Sequence, residues 1–123
     1  MIHGGHGGSI VNVASRGAFR GEPKQPAYGA SKAGLVALGQ SLARALAPHG
    51  ISVTSVAPAL VDTDMAAENL AGERGAKRRS ESPFGRLATV EEVAAAGVFL
   101  ASAEATMTSG TVLDINGASY LRM

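Results

Sequence analysis

Residues 9–58 contain three consecutive segments: SIVNVA at 9–14, PAYGASKAGLVALGQSLARALA at 26–47 and ISVTSVA at 51–57. The first and third segments are short runs rich in β-branched residues, which is typical of buried strands. The middle segment predicts a helix with one apolar stripe, because its leucines recur at spacings of three and four residues, at Leu35, Leu38, Leu42 and Leu46. A strand, a helix and a strand in this order form a βαβ unit. We therefore expect two parallel strands joined by a right-handed crossover.

The sequence after this unit predicts one more helix and one more strand. Thr89 and Glu92 have the spacing of a capping box, which opens a helix that we expect to end near Ala101. Residues 111–115 are predicted to form the third strand. The stretch before the capping box is charged and irregular, with a short helix expected near residues 63–70. These elements predict a single α/β domain built on a parallel sheet.

The composition excludes several classes of function. A chain of 123 residues with a formal net charge of +1 gives no electrostatic reason to bind nucleic acid or a membrane surface. The absence of cysteine excludes disulfides and thiolate chemistry, and it fits a reducing compartment. No apolar run approaches the roughly 18 residues of a membrane span, and the first eight residues lack the pattern of a secretion signal. We expect a soluble, cytoplasmic protein.

A serine, a tyrosine and a lysine are predicted to meet at one edge of the sheet. Ser15 follows the first strand, and parallel sheets bind ligands beyond the carboxyl ends of their strands. Tyr28 and Lys32 lie four residues apart in the first turns of the helix that begins at the same edge, so they share one face. A nearby ammonium favours a phenolate, which suits Tyr28 for exchanging a proton with a substrate oxygen. Ser15 would donate a hydrogen bond to that oxygen and steady its developing negative charge.

These segments resemble the motifs of the short-chain dehydrogenase/reductase superfamily. Residues 8–15 (GSIVNVAS) are similar to the strand that carries the family's catalytic serine, and residues 28–33 (YGASKA) match its Tyr-x-x-x-Lys motif. Residues 56–65 (VAPALVDTDM) are similar to the segment that contacts the nicotinamide, and residues 85–117 follow the family's last helix and strand. The resemblance covers essentially the whole chain. Within the superfamily the chain looks most like the 3-oxoacyl-carrier-protein reductases.

The resemblance implies a partial Rossmann-like α/β fold, which contains the last three strands of the parallel sheet with flanking helices. It implies an oxidoreductase that uses NADP or NAD to interconvert a carbonyl and a secondary alcohol, with 3-oxoacyl groups as the first expected substrate. Catalysis would fall to Ser15, Tyr28 and Lys32. The residues implied to bind the cofactor are Tyr28, Lys32, Pro58, Ala59, Val61 and Thr63. Ala59 stands where the family usually has glycine, and its methyl group restricts the backbone there.

The resemblance also implies the partners of the protein. These are a small carbonyl or alcohol substrate, which an acyl carrier could deliver, and further copies of the protein in a homodimer or homotetramer. No metal, nucleic acid or membrane is expected. The family's glycine-rich Thr-Gly-x-x-x-Gly-x-Gly loop, which cradles the cofactor's pyrophosphate at a helix amino terminus, is not found in the sequence. We therefore expect residues 1–123 to be one domain, the carboxyl-terminal catalytic half of a Rossmann-fold dehydrogenase without its amino-terminal cofactor-binding half.

Two further hypotheses stay open. The chain could be a truncated, non-catalytic fragment or an oligomerisation module, in which the first strand would expose an unpaired edge. A complete enzyme could instead be a sugar, polyol or steroid alcohol dehydrogenase. Separately, a basic cluster lies in the segment that relatives use as a substrate lid: Arg74, Lys77, Arg78 and Arg79. For this cluster a solvated loop balanced by neighbouring acids, Glu81 among them, is favoured over contact with an acidic carrier protein or a coenzyme A phosphate.

Overall fold

The computed structural model describes residues 1–63, 66 and 70–123. The three helices in this part of the chain are α1 (Pro26–Leu46), α2 (Gly72–Ser80) and α3 (Val90–Ala101). The strands are β1 (Gly8–Val13), β2 (Ile51–Pro58), β3 (Val61–Asp62), β4 (Ala88–Thr89) and β5 (Val112–Ile115). Short 3-10 turns include Ile2–Gly4, Arg16–Ala18, Ala47–His49 and Ala103–Thr108. None of the described helices is both long and apolar enough to cross a membrane.

The sheet has the order β1-β2-β5, and both pairings are parallel. Gly8 pairs with Ile51 at one end of β1 and Val13 with Val56 at the other, so the βαβ unit predicted from the sequence is confirmed. The central strand β2 is buried along its whole length. Strands β3 and β4 form a second, two-stranded parallel pair at residues 61–62 and 88–89. The predicted α/β fold with a three-stranded parallel sheet is therefore confirmed.

The two long helices lie on opposite faces of this sheet. On β2, Ser55 approaches α1, because its Oγ would lie 3.4 Å from a Cβ built on Gly39. The next residue, Val56, packs in a cluster with Leu100 of α3 and Ala105. Neighbouring residues of a strand point to opposite faces, so α1 and α3 sandwich the sheet.

Helix α1 buries one valine and two small residues on the face that meets the sheet. Its buried positions are Val36, Gly39 and Ala43, whereas Leu38, which we predicted to belong to the apolar stripe, is 55% exposed. The prediction of the stripe is therefore wrong at Leu38. The physical reason is the close approach of helix and sheet, since a Cβ on Gly39 would lie only 2.7 Å from the Asn12 amide nitrogen.

The predicted start and end of α3 are confirmed. Thr89 Oγ1 accepts a hydrogen bond from the Glu92 amide (3.2 Å), and Glu92 Oε2 accepts one from the Thr89 amide (2.9 Å). This reciprocal pair is a capping box, and it satisfies two amides that a helix start leaves unpaired. Arg86 adds two hydrogen bonds to the same carboxylate, at 2.9 and 2.7 Å.

Helix α2 was not predicted. The short helix expected near residues 63–70 lies largely outside the described residues, while the segment expected to be irregular forms α2 over Gly72–Ser80. The sequence of α2 has no apolar periodicity that would predict a helix. Its buried position is Gly75, against the backbone of Leu70, where a side chain would collide.

Candidate active site

Ser15 lies directly beyond β1, at the carboxyl edge of the sheet. The amide of Ala14, the residue before it, still donates to Val56 O of β2 (2.8 Å). Ser15 itself is extended and caps the 3-10 turn Arg16–Ala18, because its Oγ accepts a hydrogen bond from the Gly17 amide (3.1 Å). A hydroxyl that accepts in this way keeps its own hydrogen for a second partner. Ser15 is therefore held in place with a donor to spare.

Tyr28 and Lys32 lie one turn apart at the start of α1. The Lys32 ammonium donates to Val13 O at the end of β1 (2.9 Å) and stands 5.6 Å from the centroid of the Tyr28 ring. A cation at this distance is attracted by the face of the ring. The contact with Val13 fixes the lysine between strand and helix, and Tyr28 remains 43% exposed.

Gly17 lies between the serine and the tyrosine. A Cβ built on Gly17 would stand 3.4 Å from Ser15 Oγ and 3.6 Å from Tyr28 Cε1. The two side chains therefore flank the same point, which a side chain at residue 17 would occupy. In the sequence Gly17 suggested no more than a break in a polar loop, so its part in the site was missed.

A cavity of about 740 Å³ opens at this edge of the sheet. Ser15 and Tyr28 line it, and so do three residues predicted to bind a cofactor: Ala59, Val61 and Thr63. Cavities of roughly 300–1,000 Å³ are typical of small-molecule sites. Pro58 and Lys32 do not line the cavity. Pro58 is buried at the end of β2, and Lys32 approaches the Tyr28 ring from the side of β1.

Lys32 and Thr63 keep side-chain hydrogen-bond donors beyond the contacts that hold them in place, whereas the backbone amide of Ala59 does not. Lys32 uses one of three ammonium hydrogens on Val13 O. Thr63 Oγ1 accepts from the Ala66 amide (3.2 Å), and its hydroxyl hydrogen has no acceptor among the described residues. The Ala59 amide, in contrast, already donates to Ile115 O (3.0 Å). The donor set therefore suits ribose hydroxyls and a carboxamide at Lys32 and Thr63.

A buried arginine anchors the loop that carries Ser15. Arg16 is only 6% exposed, and its guanidinium donates to Ser119 Oγ (2.7 Å) and pairs with Glu81 (2.9 Å). Burial raises the pKa of the Glu81 carboxyl, but hydrogen bonds and charge from Arg16 and Arg20 outweigh burial and lower that pKa overall. Arg16 was also missed in the sequence, because nothing local identifies partners 65 and 103 residues away.

Two residues near the end of the chain, Tyr120 and Arg122, contact Phe19 in the same loop. The Tyr120 hydroxyl donates to Phe19 O (2.9 Å). The Arg122 guanidinium lies 4.2 Å from the centroid of the Phe19 ring and pairs with Asp114 of β5 (2.7 Å).

Within the described ranges, no three His, Asp or Glu side chains are grouped so that they could hold a metal ion.

Comparison with known proteins places these features among oxidoreductases. A family model described as enoyl-(acyl carrier protein) reductase matches residues 1–118. The chain is 47% identical over 113 residues to an uncharacterized short-chain type dehydrogenase/reductase of Sinorhizobium fredii, an alignment that covers 90% of the chain and 21% of that relative. It is 43% identical over 114 residues to a 3-oxoacyl-[acyl-carrier-protein] reductase of Haemophilus influenzae, with 93% of the chain and 47% of the relative covered.

A solved structure shares the fold. It is that of a putative 2-deoxy-D-gluconate 3-dehydrogenase from Agrobacterium tumefaciens with bound NADP, which superimposes with a TM-score of 0.91 at 33% sequence identity. The match covers 96% of the chain and 48% of the other protein. The chain thus spans less than half the length of each of these three proteins.

Proposed function

Since the chain belongs to the short-chain dehydrogenase/reductase family, we propose that it carries the catalytic residues of an NADP- or NAD-dependent oxidoreductase. The reaction interconverts a carbonyl and a secondary alcohol. The observation that carries this proposal is the placement of Ser15 and Tyr28 on either side of Gly17 in one cavity, with the Lys32 ammonium 5.6 Å from the tyrosine ring. A nicotinamide, when bound, supplies or accepts hydride.

Each of the three residues has one task in this proposal. Tyr28 passes its phenolic proton to the substrate oxygen in reduction and takes it back in oxidation. Ser15 donates the hydrogen that its contact with Gly17 leaves free, and so stabilises negative charge on the same oxygen. Lys32, held on Val13 O, keeps a positive charge beside the ring, where it attracts the negative charge that develops on the Tyr28 oxygen during proton transfer.

The cofactor residues of the proposal are Tyr28, Lys32, Pro58, Ala59, Val61 and Thr63. Lys32 and Thr63 contribute side-chain donors to the ribose and the carboxamide. Ala59 and Val61 contribute cavity wall, and Pro58 shapes the end of β2 that supports them. Because the Ala59 amide already donates to Ile115 O, the backbone at Ala59 would contact the cofactor through its carbonyl oxygen or through van der Waals contact.

We also propose that residues 1–123 are the carboxyl-terminal catalytic half of the enzyme, and that another segment supplies the pyrophosphate site. The proposal is supported by the spans of less than half of each relative and by the open edge of β1. The whole enzyme would be cytoplasmic and a homodimer or homotetramer. Sequencing the DNA in frame upstream of Met1 tests the proposal that another segment supplies the pyrophosphate site. Finding no glycine-rich βαβ segment encoded there would contradict that proposal.

For the substrate, a 3-oxoacyl group delivered by an acyl carrier is the first candidate, on the similarity to a carrier-protein reductase. The similarity to a sugar-acid dehydrogenase supports the second, a sugar, polyol or steroid alcohol. A substrate panel assayed by absorbance of the reduced nicotinamide separates the two. Turnover of sugars with none of 3-oxoacyl thioesters would reject the first candidate.

The decisive experiment on the proposed chemistry replaces Tyr28 by Phe. Removing the proton donor is expected to lower kcat by about 10²- to 10⁴-fold with little change in cofactor binding. The chain's other tyrosine provides the control. Tyr120→Phe removes a hydroxyl that bonds Phe19 O outside the cavity, so it loosens the same loop without removing the proton donor and should lower kcat by no more than about tenfold. Full activity of Tyr28→Phe in the upstream-completed enzyme would reject the mechanism.

A second candidate function is a non-catalytic fragment or assembly module, favoured by the absence of a pyrophosphate loop in the sequence. Calorimetric titration of the 123-residue chain with NADH and with NADPH separates it from the first. Tight binding of either nucleotide would reject the module, and we expect weak or undetectable binding for the chain alone.

A further inference from the structure

Two arginines of α2 reach the cavity that contains Ser15 and Tyr28. Arg74 and Arg78 both line it, and residues four apart lie on the same face of a helix. The other two members of the basic cluster do not line it. Lys77 is exposed, and Arg79 donates to Leu70 O (3.2 Å). Helix α2 therefore places Arg74 and Arg78 at the cavity wall, and Lys77 and Arg79 lie away from it.

The cavity wall concentrates positive charge. Among the described residues that line it, the ionised ones are four cations, Arg16, Lys24, Arg74 and Arg78, and one carboxylate, Glu22. The described part of the wall thus carries a formal charge of +3, whereas the whole chain carries only +1. A cleft lined by one sign of charge raises the local concentration of ligands of the opposite sign.

Two carboxylates at or near this wall are already paired with arginines. Glu81, which the sequence suggested would balance the basic cluster, pairs instead with Arg16 and Arg20. Glu22 pairs with Arg20 as well (3.3 Å). Among the described residues, no carboxylate forms an ion pair with Arg74 or Arg78. Asp64 and Glu68, two of the acids expected to balance the basic cluster, lie outside the described residues, so the balanced loop stays a prediction.

We propose that Arg74 and Arg78 bind an anionic oxygen group, a carboxylate or a phosphate, on the substrate whose carbonyl or alcohol reaches Ser15 and Tyr28. This inference rests on the proposed function, since that function places the reacting oxygen at the other wall of the cavity. Guanidinium groups pair with carboxylate and phosphate oxygens through two parallel hydrogen bonds. The volume of about 740 Å³ leaves room for a small molecule that spans both walls.

The test compares ligands that differ only in the anionic group. The carboxylate arm uses 4-oxopentanoate and its methyl ester, and the phosphate arm uses dihydroxyacetone phosphate and dihydroxyacetone. Binding to the full chain is followed by NMR shifts of the amides that line the cavity, a readout that needs neither cofactor nor turnover. We expect at least one anion to bind about tenfold to a hundredfold more tightly than its neutral partner, as charge-assisted hydrogen bonds allow. The arm that responds identifies the anion.

The variant Arg74→Gln/Arg78→Gln should abolish this preference and leave the affinity for the neutral ligand unchanged. Lys77→Gln removes a cation from the same helix without touching the cavity, so it should keep the preference. Equal affinity for anion and neutral partner in the parent chain, including no binding of either, would overturn the inference. So would a double variant that keeps the preference, or one that loses both ligands equally with an unchanged circular dichroism spectrum.

These outcomes are independent of the proposed chemistry. If Arg74→Gln/Arg78→Gln leaves the preference intact while Tyr28→Phe abolishes turnover, the anion site is rejected and the reductase proposal stands. If the anion preference depends on the arginines while Tyr28→Phe keeps full turnover, the reductase mechanism is rejected and the anion site stands.

Discussion

At the scale of single residues, the geometry of the site depends on the lack of a side chain at Gly17 and on the buried side chain of Arg16. Gly17 keeps the space between Ser15 and Tyr28 open, and Arg16 ties the same loop to Ser119 and Glu81. Ser15, Tyr28 and Lys32 could be proposed from the sequence, because the βαβ pattern places them at one edge of the sheet and the surrounding motifs resemble those of a known family. Gly17 and Arg16 could not, because their importance comes from what the rest of the chain brings near them.

Replacing Gly17 by Val tests the open space directly. The branched side chain would extend beyond a Cβ that already stands 3.4 Å from Ser15 Oγ, so it would push the serine and the tyrosine apart. We expect kcat/KM of the completed enzyme to fall by about a hundredfold, as for other small misplacements of reacting groups. The control is Gly21→Val in the same loop, where nothing lies within 4 Å. An active Gly17→Val variant would contradict this account of the site.

At the scale of elements, β1, β2, α1 and α3 were predictable and α2 was not. Runs of β-branched residues, a proline in the first turn of α1 and the capping box before α3 are local signals, and each element begins within a residue of its predicted position. The face that α1 buries was harder to predict. Leucine spacing favours one stripe, but the distance between helix and sheet selects the side with Gly39 and Ala43.

Replacing each of two glycines of α1 by alanine should change the stability of the fold in opposite directions. Gly34 has nothing within 4 Å of a built Cβ, so Gly34→Ala should raise the free energy of unfolding by about 0.5–1 kcal/mol through helix propensity. At Gly39 the same methyl would stand 2.7 Å from the Asn12 amide nitrogen. Gly39→Ala should therefore be at least about 1 kcal/mol less stable than Gly34→Ala, as measured by urea denaturation. Equal stability of the two variants would mean that helix and sheet are not closely packed.

The cap of α3 predicts how stability depends on pH. Hydrogen bonds from Arg86 and from the Thr89 amide lower the pKa of Glu92 from 4.5 to about 2. A carboxyl whose pKa is lower in the folded state stabilises the fold above its unfolded pKa, and this contribution disappears as the pH falls through the folded value. The parent should therefore exceed Glu92→Gln in urea midpoint by a constant amount above about pH 5, and the difference should shrink between pH 4.5 and 2.

The neighbouring Glu91 provides the control for this titration. It lies in the same first turn of α3 and forms no ion pair with the described residues, so Glu91→Gln should leave the pH dependence of the midpoint close to that of the parent. A Glu92→Gln variant whose midpoint follows the parent's at every pH would show that the pair with Arg86 contributes nothing to stability.

At the scale of the whole molecule, β1 forms one edge of the sheet, with β2 on its inner side. The amides of Gly8 and Ala14 point towards β2, because they donate to Gly50 O and Val56 O. Backbone groups alternate along a strand, so the amides of Ser9, Val11 and Val13 face the open side. An unpaired edge at the first strand was expected for an isolated fragment, but only the register of β1 on β2 shows which of its amides face outwards.

Hydrogen exchange followed by NMR tests the open edge. In the 123-residue chain, the amides of Ser9 and Val11 should exchange at least about a hundredfold faster than those of Ile10 and Asn12. Strand β2, with neighbours on both sides where it pairs with β5, should show no such alternation over residues 55–57 and serves as the internal control. Equal protection along β1 would show that another strand covers this edge in solution.

The anchoring of the loop after Ser15 has a consequence for synthesis on the ribosome. Arg16 bonds Ser119, 103 residues later, and Phe19 accepts from Tyr120, 101 residues later. While the nascent chain still lacks these partners, β1 and α1 can emerge and meet, but the Arg16 guanidinium has no hydroxyl to bind. The loop that follows Ser15 is therefore among the last parts of the domain to reach its final conformation, after translation has passed Tyr120.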